Sequence, residues 1–172
     1  MTLTDLSPPP TAAVSLDAAK AFLRVDHPDE DDLITDLIDA ATLQIEDRCG
    51  VSLITRPQRL TKAPVMTRDG AGIYLTRYPV VSIELISQDE AALPIETNLK
   101  ARPAFVCTSP RAHVTVDFTA GYGETSADIP TPLRQGVLLL LAHLYEHRAG
   151  NSPPGFPMMV DALTQPYRGM RL

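Results

Sequence analysis

The sequence predicts an α+β fold: a small helical bundle of about three main helices with an antiparallel β-sheet inserted into it, and an extended arm at each end. Three observations lead there. Apolar residues recur at helical spacing over 15–26, 29–49 and 131–148. Between the second and third of these, over 51–123, the period drops to two and β-branched and aromatic residues gather. The two ends carry clustered prolines and no sustained period. The expected division is an N-terminal arm at 1–13, a central domain at 14–149 and a C-terminal tail at 150–172.

The arm contains Pro8, Pro9 and Pro10, which favour an extended, polyproline-like course packed on a neighbour or free in solution. Ser15 suits the N-cap of a first helix, with Leu16, Ala19, Phe22 and Leu23 on one face and Asp17 near the positive end. Pro28 should stop it. Asp29 can cap the second helix, and Gly50 occupies the position where a left-handed residue closes it. Leu33, Ile34, Leu37, Ile38, Ala41 and Ile45 make its apolar stripe, while Asp32, Asp36, Asp39, Glu46 and Asp47 gather opposite. Asp26 to Asp47 holds nine acidic residues and no Lys or Arg, so this face lacks internal salt-bridge partners. Such a face ordinarily meets water; its functional reading is a surface that repels phosphate or docks a basic neighbour.

Ile73–Leu75, Val80–Ile86, Ala104–Cys107 and His113–Phe118 read as strands of a small sheet. Asp69-Gly70 and Gly72 mark one turn, Tyr78-Pro79 opens the next strand, and Ser109-Pro110-Arg111 breaks the last pair. Residues 87–103, with Asp89, Glu90 and Pro94, suit an excursion or a weaker hairpin. Thr131 as N-cap and Pro132 at the first helical position start the third helix. Its apolar residues point nearly all round the axis, which makes Val137, Leu138, Leu140, Leu141 and Leu144 candidates for a core or a subunit interface. The tail carries Phe156, Met158, Met159, Val160 and Tyr167 with Arg168 and Arg171, anchors suited to a groove on a partner or to folding back on the chain itself.

Composition narrows the function. The 172 residues suit one domain with a tail, and 44% hydrophobic against 21% charged residues suits a packed core. Fifteen Lys+Arg against 21 Asp+Glu, a net charge of −6, disfavours sequence-specific nucleic-acid binding. Tryptophan is absent, so base stacking has little to work with. The longest apolar run, Val137 to Ala142, falls far short of the roughly 20 residues that span a bilayer. The first residues lack a secretory signal, which points to the cytoplasm. Cys49 and Cys107 have no CxxC spacing and are expected to be reduced and buried.

One motif invites a catalytic reading. His143-Leu-Tyr-Glu146-His147 has the H-x-x-E-H order of a zinc hydrolase helix, but only Asp161 follows it as a third ligand. A polar strip on a structural helix is the better reading. Gly121-Tyr-Gly123 lacks the Lys-Ser/Thr end of a phosphate loop, and no GxSxG elbow occurs. No enzyme, metal or cofactor is expected.

The opening Lys20-x-x-Leu-Arg-Val25, the Ala120-Gly-Tyr-Gly123 turn and the closing His143-Leu-Tyr-Glu-x-Arg148, in this order, resemble the head–tail connector (adaptor) proteins of long-tailed phages and gene transfer agents, over about residues 14–149. The resemblance implies a ring of roughly twelve copies between the portal protein of the capsid and a tail-side stopper or terminator protein, with double-stranded DNA passing through it. It further implies assembly in the cytoplasm, then residence in the particle neck. The portal-binding segment would be Phe156, Met158, Met159, Val160, Tyr167, Arg168 and Arg171. Asp32, Asp36, Asp39 and Glu46 are candidates for an acidic face along the DNA channel, where their charge would repel the cargo. A tail-completion or stopper role in the same particle is the alternative.

Overall fold

The helical periods become four helices, α1 (Leu16–Leu23), α2 (Asp31–Cys49), α3 (Thr131–Glu146) and α4 (Met158–Thr164), followed by a 3-10 turn at Gln165–Tyr167. A computed structural model describes residues 1–67, 70–88, 91–92, 97–98, 104–107, 113–148 and 156–169. Ile34, Ile38, Ala41 and Ile45 of α2 meet Leu133, Val137, Leu140 and Leu141 of α3 in one buried cluster, joined by Ala19 of α1 and Val160 of α4. Removing this apolar surface from water is what holds the bundle together.

The helix ends follow local chemistry. Ser15 Oγ accepts the Ala18 N–H at 3.2 Å, as expected of an N-cap. The α2 cap is Glu30 rather than Asp29, and its carboxylate is used elsewhere, by Tyr145 of α3 and Arg148 just beyond that helix. Thr131 is the first residue of α3 rather than its cap, which is Pro130. Gly50 closes α2 at φ 66° with its N–H on the Glu46 carbonyl at 2.8 Å. Arg24 closes α1 in the same left-handed conformation, φ 60° and ψ 39°. A side chain there costs roughly 1 kcal/mol more than glycine would.

The period-two region forms two antiparallel sheets rather than one. The first has the order β1-β2-β9-β5-β6, from β1 (Thr2–Asp5), β2 (Arg56–Lys62), β5 (Val80–Gln88), β6 (Ala91–Ala92) and β9 (Val114–Ala120). The second is β3-β4-β8-β7, from β3 (Val65–Thr67), β4 (Gly70–Tyr74), β7 (Thr97–Asn98) and β8 (Phe105–Cys107). Strict alternation along β9 buries Val114, Val116, Phe118 and Ala120 against Leu60, Ile73, Ile86 and Val106 in a second apolar cluster. Cys49 is buried but Cys107 is exposed, against expectation. The expected turns at Asp69 and at Ser109-Pro110-Arg111 lie outside the described residues, as do Asp89, Glu90 and Pro94.

Both ends pack on the chain itself, the course left open for the tail beside docking on a partner. Thr2 to Asp5 pair with Thr61 to Gln58 of β2, so the N-terminal arm is an edge strand of the first sheet. Ala13 and Val14 are buried in the helical cluster. At the other end, α4 lies against α3 and α2 where Gly136 has no side chain: a Cβ there would come within 3.2 Å of Thr164 Cγ2 and 3.3 Å of Ile45 Cδ1. The glycine spacing at 121 is steric too. Gly121 sits at φ 149° with its N–H on the Pro79 carbonyl, and a Cβ would meet Thr55 Cα at 2.3 Å.

Candidate functional site

The C-terminal segment is a bound element with one bare corner. Arg48 of α2 donates from Nε to Asp161 Oδ1 at 2.8 Å, its guanidinium lies 4.5 Å from the Phe156 ring centroid, and Arg168 also pairs with Asp161. These guanidinium hydrogen bonds, from Arg48 first and then Arg168, hold the Asp161 carboxyl below its ordinary range. Val160, assigned with Phe156 and Arg168 to portal binding, is instead buried in its own chain, because α4 turns it into the groove beside Gly136. Tyr167 packs half-buried on the helical cluster. Among the described residues, Met158 and Met159 alone of the predicted anchors stand clear, 87% and 66% exposed. Arg171 lies outside the described residues.

The apolar residues of α3 are covered by the chain itself on most sides. Val137, Leu140 and Leu141 are buried, while Leu138 and Leu144 pack half-buried at the margin. At the helix end, Glu30 accepts from the Tyr145 hydroxyl and from Arg148 Nη1. The Tyr145 bond, then that of Arg148, lowers the Glu30 pKa, and Glu30 in turn raises that of Tyr145. His143 and His147 stack with centroids 4.4 Å apart, and among the described residues no group of three His, Cys, Asp or Glu could hold a metal. No helix among them is long and apolar enough to cross a membrane.

The acidic face of α2 divides in two. Asp32, Asp36 and Asp39 are exposed, as expected. Glu46 is not part of that surface: at 1% exposure it lies beneath β2 and the N-terminal arm. It accepts Arg56 Nη1 and Nη2 at 3.0 and 2.7 Å and the Leu53 N–H at 2.7 Å. Arg56 also donates from Nε to Asp5 Oδ2 at 2.8 Å, and Gln58 Nε2 donates to Asp5 Oδ1 at 2.6 Å. Burial works against the Arg56 charge, but Glu46 and Asp5 outweigh it and raise its pKa. Sequence reasoning missed Arg56 and Asp5. The available signal was an acidic residue directly after apolar Ile45, with an arginine in the segment that follows the helix.

Above this buried pair the arm and α2 leave a cleft of about 190 Å³, lined by Asp5, Ala12, Asp39, Thr42, Leu43 and Arg56 among others. Thr42 Oγ1 is buried there without a hydrogen-bond partner, and Leu43 is 52% exposed.

Comparison with known proteins gives the arrangement a context. The family described as phage gp6-like head-tail connector protein matches residues 13–153. A chain in the neck of an empty gene transfer agent particle, computed with C6 symmetry, superposes with TM-score 0.80 at 26% identity, covering 100% of this chain and 97% of that one. A chain from the neck of a native particle, computed with C12 symmetry, gives TM-score 0.73 at 26% identity, again covering 100% and 97%. A chain from the virion of a native gene transfer agent particle shares the fold, with TM-score 0.81 at 24% identity and the same coverage. No curated protein sequence matches.

Proposed function

This chain belongs to the phage gp6-like head-tail connector family, and on that premise we propose that copies of it form a ring joining the capsid portal to the tail, through which DNA passes. The chain is a structural adaptor of the particle neck and not an enzyme. The observation that carries the reading is the match over 13–153, reinforced by full-length likeness to a neck chain solved with C12 symmetry. The C12 symmetry of that neck supports a ring of roughly twelve copies, each contact repeating head to tail until the circle closes.

Charge supports the passage of DNA. Each copy contributes a net −6, so a ring repels the phosphate backbone instead of binding it. Asp32 and Asp36, exposed and outside any ion pair among the described residues, are the side chains assigned to face the DNA path. The portal contact is assigned to Met158 and Met159, because Phe156, Val160, Tyr167 and Arg168 are engaged by the chain's own helices. Apolar, unbranched methionines adapt to a groove whose shape is set by the partner.

Electron microscopy of particles made without this protein tests the reading. Heads without tails are the expected product, and normally tailed particles would overturn it.

A further inference from the structure

Among the described arginines, seven of eight have a side-chain partner: Arg48, Arg56, Arg59, Arg77, Arg148 and Arg168 pair with carboxylates and Arg134 donates to the Ser126 carbonyl. Arg24 has none. It is exposed, and it holds the left-handed position at the end of α1 that glycine fills at the end of α2. A residue kept there at a backbone cost, whose guanidinium makes no hydrogen bond or ion pair among the described residues, has its use outside the chain.

The complementary feature is the cleft between the N-terminal arm and α2. Asp39 stands at its mouth without an ion pair, Leu43 offers a bare apolar wall, and the Thr42 hydroxyl oxygen waits inside with no donor. An arginine matches this set. Its aliphatic stem covers Leu43, its guanidinium meets Asp39, and an N–H satisfies Thr42 Oγ1.

Lys20 in the last turn of α1 pairs with Asp31 at the start of α2, which sets the Arg24 cap near that end, whereas the cleft sits by the later turns of α2, from Asp39 to Glu46. One copy therefore offers the plug at one end and the socket toward the other, the arrangement that a head-to-tail ring requires. We propose that Arg24 of each copy docks into the Asp39 cleft of the next copy, a seam contact that rests on the ring reading above.

Charge exchange tests it in particles assembled with full-length protein. Arg24→Asp and Asp39→Arg should each lower the yield of tailed particles by at least about tenfold, and the double exchange should restore most of it. Circular dichroism of the purified variants checks that the fold survives. A second test avoids charge reversal. Particles carrying Arg24→Lys, treated with a carbodiimide, should yield a peptide crosslinked between residues 24 and 39 of different copies, absent when Asp39→Asn is added. Arg24→Asp assembling at native yield, or folded single variants that the double exchange fails to rescue, would overturn the pairing. So would tailed Arg24→Lys particles without the 24–39 crosslink. These results leave the adaptor reading standing, since that fails only if particles lacking the whole protein acquire tails.

Discussion

The guanidinium of Arg56 lies flat against the carboxylate of Glu46, two parallel hydrogen bonds of 3.0 and 2.7 Å between side chains that are 4% and 1% exposed. Glu46 belongs to the helical core and Arg56 to the first strand after it, so the pair fastens the bundle to the sheet. Asp5 on the other side of Arg56 extends the joint to the N-terminal strand.

Breaking that joint from one side should cost far more than removing it whole. Glu46→Ala leaves the buried guanidinium with only the half-exposed Asp5 as counter-charge and the Leu53 N–H without its acceptor, and should lower the free energy of unfolding by about 3–5 kcal/mol in urea titrations. Glu46→Leu combined with Arg56→Met leaves no buried charge and should lose markedly less. Equal losses in the two proteins would show the pair to be solvated.

The Asp161 contacts predict how acid acts on the C-terminal helix. Arg48 and Arg168 hold this carboxyl below its ordinary value of 3.8, so its contribution is complete above that value and is lost as the pH falls through the folded one. The difference in thermal midpoint between the native protein and Asp161→Asn should be constant from pH 7 to about 5 and close below about pH 4. A gap that persists unchanged into strong acid would contradict the pairing.

Gly121 and Gly70 both take positive φ, 149° and 117°, but only the first is crowded. A Cβ at 121 would strike the Thr55 backbone, whereas nothing lies within 4 Å of one at 70. Gly121→Ala should therefore cost more than the about 1–3 kcal/mol of backbone strain alone, and Gly70→Ala no more than that strain. Chemical denaturation of the two variants measures the difference. Similar values would mean that the 54–55 backbone yields freely.

Helix periods, the Ser15 cap and the alternation of β9 were legible because apolar spacing reports them directly. Strand β2 was not, because its inward residues are Arg56, Gln58 and Leu60; the alternation is present but two of its three buried positions are polar. The same concealment misplaced Glu46. A helical wheel assigns it to the face of Asp32, Asp36 and Asp39, and only tertiary packing reveals that β2 and the arm cover the last turns of that face. Met158 and Met159 were legible as anchors, but the turn that buries Val160 beside them depends on the gap left at Gly136, 24 residues before Val160 in the chain and outside any local signal for α4.

The burial of α4 separates two roles that the tail sequence alone runs together. Truncation after Gly150 removes Val160 and Thr164 from the groove over Gly136 and Ile45, uncovering the helical core. It should cost about 2–5 kcal/mol, the range for emptying a buried apolar site, and so cannot by itself test docking. Met158→Asp with Met159→Asp removes only exposed apolar surface and should leave unfolding within about 0.5 kcal/mol of native. If these methionines meet the portal, that stable variant should still fail to join heads to tails. Because a buried aspartate would have to be desolvated at the contact, the defect should be strong rather than graded. Tailed particles at native yield from this variant would move the portal contact away from α4, and thermal melts of the same preparation would show whether the helix was still in place when they formed.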